Sequence, residues 1–241
     1  MPQPIELYYW PTPNGHKISI ALEEMALPYV LKPVNIGAGE QFKPGFLALS
    51  PNNRMPAILD PEGPGGPISV FESGAILQYL GRKTGKFYPV DDERGQVEVE
   101  QWLFWQMAGR GPMAGQAGHF QIYAPSITPD ARHTAYGANR YINEVHRLCG
   151  VMERRLADRD HLAGNYSIAD VACWPWIASR VRYGMALDDF PRLADWFARV
   201  GARPAVQRGM EVGAELRNTA STDNTPEGEK ARQLLFGQRA R

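Results

Sequence analysis

Cysteine is scarce in this chain. Only Cys149 and Cys173 occur among 241 residues, and they form no CxxC pair. A disulfide framework and a dithiol redox motif are excluded on that ground. Both cysteines fall in helical patterns, where a lone thiol behaves as a small buried hydrophobe. An excess of charge of either sign is also missing, since Lys+Arg and Asp+Glu each number 26. That balance argues against a nucleic-acid partner, which needs a basic face. No apolar run reaches the roughly 18 residues of a membrane helix. The N-terminal MPQPIELYYW lacks the basic start and apolar core of a signal peptide. These absences point to a soluble, cytoplasmic protein with no membrane association. No G-x-x-x-x-G-K-[ST] phosphate loop occurs, and no histidines and carboxylates are spaced as metal ligands, so no metal is expected.

The chain has enough apolar residues, 44%, to bury a substantial core. Its first 90 residues alternate between strand-like and helix-like segments. Strands are expected at Ile5–Tyr9, Tyr29–Val34, Ala57–Leu59 and Ile68–Phe71, and helices at His16–Met25 and Ser73–Lys83. This order predicts a small α/β domain with a mixed four-stranded sheet. From Asp91 the pattern becomes long and helical, with no convincing strand. The expected organisation is an α/β domain over 1–90, an all-α domain over 91–216 and a flexible tail over 217–241. Within that tail LLFG is a candidate local anchor.

Three short stretches carry chemistry. In YYWPTPNGHKI the first strand ends at two prolines and a glycine, and a helix begins with no cysteine, serine or tyrosine at the turn. In RMPAI, Pro56 stands at a strand entrance where it has no N–H to give a ladder. A cis bond there would turn Met55 outward, so that its N–H and C=O could pair with a ligand's peptide backbone; a trans-proline at a sheet edge is the plainer alternative. In FESGAIL, Glu72 and Ser73 fall at a strand-to-helix junction, with Ser73 read as N-cap. Unpaired N–H groups there favour a carboxylate, and Glu72 can pair with an ammonium. Together they suit an α-amino acid head group. Gln41 and Lys43, in GEQFKPGF, can reach a second carboxylate. The aromatic residues Trp102, Phe104, Trp105, Trp174 and Trp176 read as core and dimer packing. Phe120 and Tyr123 are candidates for a second substrate's pocket, and His119 and His133 read as solvated loop residues.

The ordered set TPNG, MP and ES resembles the glutathione transferase family, with its thioredoxin-like N-terminal domain and helical C-terminal domain. The runs TPNGHKI, GEQFKPGFLALSPNNRMPAI, FESGAIL, QWLFWQMAG, NRY and NYSIADVACWPW resemble the bacterial nu-class enzymes more closely. The resemblance implies a cytosolic homodimer that binds glutathione, or oxidised glutathione, and reduces small disulfides, with weaker action on electrophiles and hydroperoxides. It implies a cis bond before Pro56. It puts Thr12 in the place of the usual catalytic Tyr, Ser or Cys, with Asn14 beside it. It assigns glutathione binding to Gln41, Met55, Glu72 and Ser73, and to Arg140 reaching across a dimer. Ser167 and Asp170 resemble the family's S-x-x-D capping box, whose role is folding.

With no protein thiol at the first turn, the nucleophile is expected to be glutathione itself, as co-substrate. A helix N-terminus with the Thr12 hydroxyl can stabilise its thiolate. The leading expectation is a glutathione-dependent disulfide-bond reductase. A transferase or organic hydroperoxide peroxidase is the alternative, and a non-catalytic glutathione-binding regulator is a third.

Overall fold

The computed structural model describes residues 3–128, 130–218 and 225–238. Strand β1, Ile5–Tyr9, alternates buried and half-buried residues, and it lies inside a four-stranded sheet of order β2-β1-β3-β4. It pairs in parallel with β2, Tyr29–Pro33, and antiparallel with β3, Ala57–Asp60. The last strand β4, Ile68–Phe71, runs antiparallel to β3, with Ile58 opposite Val70. A parallel neighbour needs a crossover, and helix α1, Pro13–Met25, supplies it between β1 and β2. A 3-10 turn at Glu40–Phe42 and the short α2, Pro44–Leu47, precede β3. Helix α3 spans Ser73–Thr84.

The rest is helical: α4 at Glu93–Trp105, α5 at Gly111–Gly118, α6 at Ala131–Arg155, α7 at Ile168–Ala178, α8 at Pro191–Gly201 and α9 at Pro204–Glu211. A π-helical turn, Gln106–Arg110, joins α4 to α5, and a second, His119–Tyr123, follows α5. His119 therefore stands in a helical turn rather than a solvated loop. It is half-buried, and burial holds its imidazole below the ordinary value. His133 is exposed on α6. Of the aromatic set, Trp174 stacks on Phe197 at 5.0 Å, while Phe104 is 59% exposed.

The chain forms two compact units, one of Met1–Ile76 with Arg208–Arg241 and the other of Leu77–Gln207. The division expected near residue 90 follows the change in sequence texture; the compact units instead divide within α3. Side chains tie the later part of α3 to α4, because Gln78 Nε2 donates to Glu100 Oε1 at 2.8 Å and Arg82 pairs with the same carboxylate. The stretch expected as a flexible tail also contains a helix, α10, at Pro226–Phe236. Thr225 caps it, accepting from the Gly228 N–H at 3.1 Å, and Pro226 presets its first turn.

In the first unit, side chains of α1 bond to residues far along the chain. Ser19 Oγ donates to the Gly209 carbonyl at 2.7 Å, and Arg208 pairs with Glu23 at 2.7 Å. These bonds hold Arg208 and Gly209 against α1.

Candidate active site

The turn between β1 and α1 is built around Gly15. A side chain there would run into the Trp10 carbonyl and stand 2.9 Å from the Tyr9 ring, so only glycine fits. The close approach lets Thr12 act as N-cap, with its Oγ1 accepting from the Gly15 N–H at 3.2 Å. Helix α1 starts at Pro13, three residues earlier than the apolar pattern predicts, because of this cap and because proline is favoured at a first helical position. The Thr12 hydroxyl donates in turn to Met55 Sδ at 3.6 Å. A thioether is a weak acceptor, so a thiolate entering the turn would displace it readily. Asn14 follows, half-buried, in the first turn, which contains no acidic residue.

Neither neighbouring tyrosine can serve the turn. Tyr8 donates to Glu6 at 2.7 Å, and burial together with that carboxylate pushes its phenol up to about 12. Tyr9 is fully buried and gives its only proton to the Val212 carbonyl at 3.0 Å. His16 Nδ1, 2.9 Å from the same phenol, must then be the donor.

The Met55–Pro56 bond is cis and Pro56 is buried. Strand β3 starts only at Ala57, and no hydrogen bond to the Met55 main chain is found among the described residues. The Met55 side chain packs on the cluster of Val34, Phe46 and Ala57, which holds that segment in place.

At the β4–α3 junction Glu72 is exposed with φ of +67°, a left-handed conformation that costs a non-glycine residue about 1 kcal/mol or more and recurs at functional sites. The Ile76 N–H donates to the Glu72 carbonyl at 2.9 Å. Glu72 thus takes the cap position, and Ser73, expected there, is the first helical residue. Glu72 Oε1 accepts from Asn52 Nδ2 at 3.3 Å. Ser73 Oγ accepts from Lys17 Nζ at 3.3 Å, and Lys17 is only 1% exposed. Sequence reasoning passed over Lys17. The available signal was three polar residues, His16, Lys17 and Ser19, interleaved with the apolar Ile18, Ile20, Ala21 and Leu22 of the helix. A buried ammonium beside a helix N-terminus adds to the positive potential that favours a carboxylate there.

Gln41 and Lys43 part company. Gln41 is buried and donates to the Ile36 carbonyl at 3.1 Å, while its Oε1 has no hydrogen-bond partner. Lys43 is exposed and pairs with Glu40 at 2.6 Å. That hydrogen bond, with one from the Asn35 N–H, holds the Glu40 carboxyl below the ordinary value. In the other unit Arg140 stands exposed on α6.

Also in that unit, Ser167 and Asp170 form a capping box at the start of α7. Asp170 is fully buried and accepts from the Ser167 N–H at 3.1 Å, the Leu162 N–H at 3.1 Å and Trp196 Nε1 at 2.8 Å. Cys149 and Cys173 are buried in α6 and α7, in no disulfide. Burial pushes the Cys149 thiol up, despite Arg110 Nη2 at 3.9 Å. Among the described residues no group of three or more His, Cys, Asp or Glu is placed to hold a metal, and no helix is long and apolar enough to cross a membrane.

The family model for the glutathione S-transferase N-terminal domain matches residues 3–82, and that for the C-terminal domain matches 135–199. The chain belongs to the glutathione S-transferase family. Among curated relatives, the disulfide-bond oxidoreductase YfcG of Escherichia coli is 47% identical over 209 residues, covering 86% of this chain and 94% of that protein. Among solved structures, a glutathione transferase family member from Pseudomonas fluorescens with two glutathione bound shares 44% identity. Its TM-score is 0.79, over 88% of this chain and 94% of its own. A glutathione transferase from Pseudomonas putida, with one glutathione disulfide bound per subunit, shares 43% identity at TM-score 0.79, over 87% and 92% of the two chains. In this glutathione S-transferase, then, the α1 turn, the Met55 backbone and the Glu72–Ser73 junction lie in the N-terminal family domain, while the capping box lies in the C-terminal one.

Proposed function

We propose that this glutathione S-transferase is a glutathione-dependent disulfide-bond reductase in which bound glutathione supplies the nucleophilic sulfur. The observation that carries the reading is the α1 N-terminus. It has a hydroxyl already donating to a sulfur, no acidic residue in its first turn and no cysteine. The names of the relatives support the same reading. Glutathione lies with its cysteinyl backbone along Met55, its γ-glutamyl head at Glu72 and Ser73, and its thiolate at Thr12 and Asn14. Gln41 and Lys43 serve its other carboxylate.

The thiolate attacks one sulfur of a disulfide, forming a mixed disulfide and expelling the other sulfur as a thiolate that takes up a proton. A second glutathione thiolate attacks the glutathione sulfur of the mixed disulfide, releasing oxidised glutathione and the second product thiol. One disulfide and two glutathiones thus become two thiols and one oxidised glutathione. The chain pairs as a homodimer in which Arg140 of one protomer reaches a glutathione carboxylate of the other. Arg140→Ala then raises the KM for glutathione, and sedimentation shows a dimer.

Reduction of 2-hydroxyethyl disulfide by glutathione tests the reading. The rate persists in the Cys149→Ala/Cys173→Ala protein and exceeds the rates on 1-chloro-2,4-dinitrobenzene and cumene hydroperoxide. Loss of the rate in that double variant would assign the chemistry to a protein thiol and overturn the proposal. Faster turnover of the chloroarene or the hydroperoxide would establish the transferase or peroxidase instead.

A further inference from the structure

Helix α10 lies outside both family-model matches, yet its C-terminal end touches two of the loops assigned to glutathione. Gly39, with φ of +80°, opens the 3-10 turn that carries Gln41. The Leu234 methyl groups lie 3.4 Å from where a Gly39 side chain would begin, so the leucine covers that glycine face. One turn further on, Gln238 Oε1 accepts from Arg54 Nη1 at 3.0 Å, and Gln238 Nε2 donates back to the Leu234 carbonyl at 2.7 Å. The guanidinium is also held by Asn53 Oδ1 at 3.1 Å, and the Arg54 carbonyl accepts from Ser50 Oγ at 2.8 Å. Arg54 is joined directly to Met55.

One side-chain pair on one helix end therefore spans two loops that come from different parts of the chain. We propose that Leu234 and Gln238 are positioning residues that set the spacing between the Gln41 turn and the Met55 backbone. They touch no ligand. They hold two binding segments in the arrangement the tripeptide needs, so that less ordering is left to occur on binding. The inference rests on the assignment of Gln41 and Met55 to glutathione. Because the contacts of both residues are made to the Gly39 and Arg54 loops, the effect falls on affinity and not on the sulfur chemistry.

The test compares Leu234→Ser/Gln238→Ala with the conservative Leu234→Met/Gln238→Glu, which keeps the apolar cover and an acceptor for Arg54. Glutathione Kd is read by calorimetry, and KM and kcat by reduction of 2-hydroxyethyl disulfide. The first variant raises Kd and KM roughly fivefold, about 1 kcal/mol, with kcat at saturating glutathione within about twofold of the parent. The conservative variant restores both constants. A lowered melting temperature with unchanged Kd and KM would assign α10 a purely structural role and overturn the inference, as would a loss confined to kcat. A parent protein that binds no glutathione would overturn the assignment of the site itself. Tight binding by the parent that the first variant leaves intact would overturn only the role of α10.

Discussion

Two helices of this molecule begin with the same capping chemistry and end as opposites. At α7, Ser167 caps the helix, and Asp170, one turn in, returns a carboxylate to the Ser167 N–H. The positive end of the helix is answered from within, and the acid is sealed from solvent. At α1, Thr12 caps in the same way, but the first turn holds no acid and the cap is only half-buried. The potential of that terminus is left for a charge from outside. Capping alone does not separate a folding device from a binding site; the presence of an internal carboxyl acceptor does.

The largest effect is expected at the closed terminus. Asp170→Ala leaves the Leu162 and Ser167 N–H groups and the Trp196 indole without an acceptor, and so lowers unfolding free energy by ~4 kcal/mol. Urea denaturation measures this. The folded fraction should retain its KM for glutathione. A change of KM at constant folded fraction would give the box a part in binding and dissolve the contrast between the two helices.

At the open terminus the order of effects reverses. Thr12→Ala removes a cap, at about 1 kcal/mol of stability. It also removes a donor to the bound thiolate, whose free pKa lies near 8.5. Losing one such hydrogen bond raises the bound thiol's pKa by about one unit, so kcat/KM near pH 7 falls about tenfold. The sign follows from ionisation. The thiolate is the reactive form, so a raised pKa moves the rising limb of the profile to higher pH, and the variant approaches the parent rate in alkali. A variant that is slow by the same factor at every pH would show that Thr12 does not act on the ionisation.

Much of this contrast is legible in the sequence. The S-x-x-D spacing writes the α7 box directly, because cap and acid lie one helical turn apart. TPNG marks the α1 start, and the absence of a cysteine there is read at sight. What escapes is whatever depends on contacts between distant residues. Lys17 looks like an exposed lysine until β4 and α3 bring Ser73 to it. Glu72 takes the cap position from Ser73 because its left-handed backbone turns the chain one residue earlier, and no local propensity predicts that for a glutamate. Helix α10 is hidden by its polar composition; its Thr-Pro start is visible, but the partners of Leu234 and Gln238 lie in loops nearly 200 residues away.

The smallest and sharpest change turns one terminus into the other. Asn14→Asp places a carboxylate in the first turn of α1, as Asp170 does in α7. A negative charge there stabilises the helix by ~0.5 kcal/mol, so the melting temperature rises slightly. The same charge opposes a thiolate bound beside it and raises that thiol's pKa. Activity near pH 7 therefore falls about fivefold and recovers toward alkaline pH, where even a disfavoured thiol ionises. A protein made more stable and less active by one added oxygen-for-nitrogen exchange is the expected result, read by thermal unfolding and a pH profile on the same preparation. Unchanged activity at pH 7 would mean that no thiolate sits at the α1 terminus, whatever the helix gains from the charge.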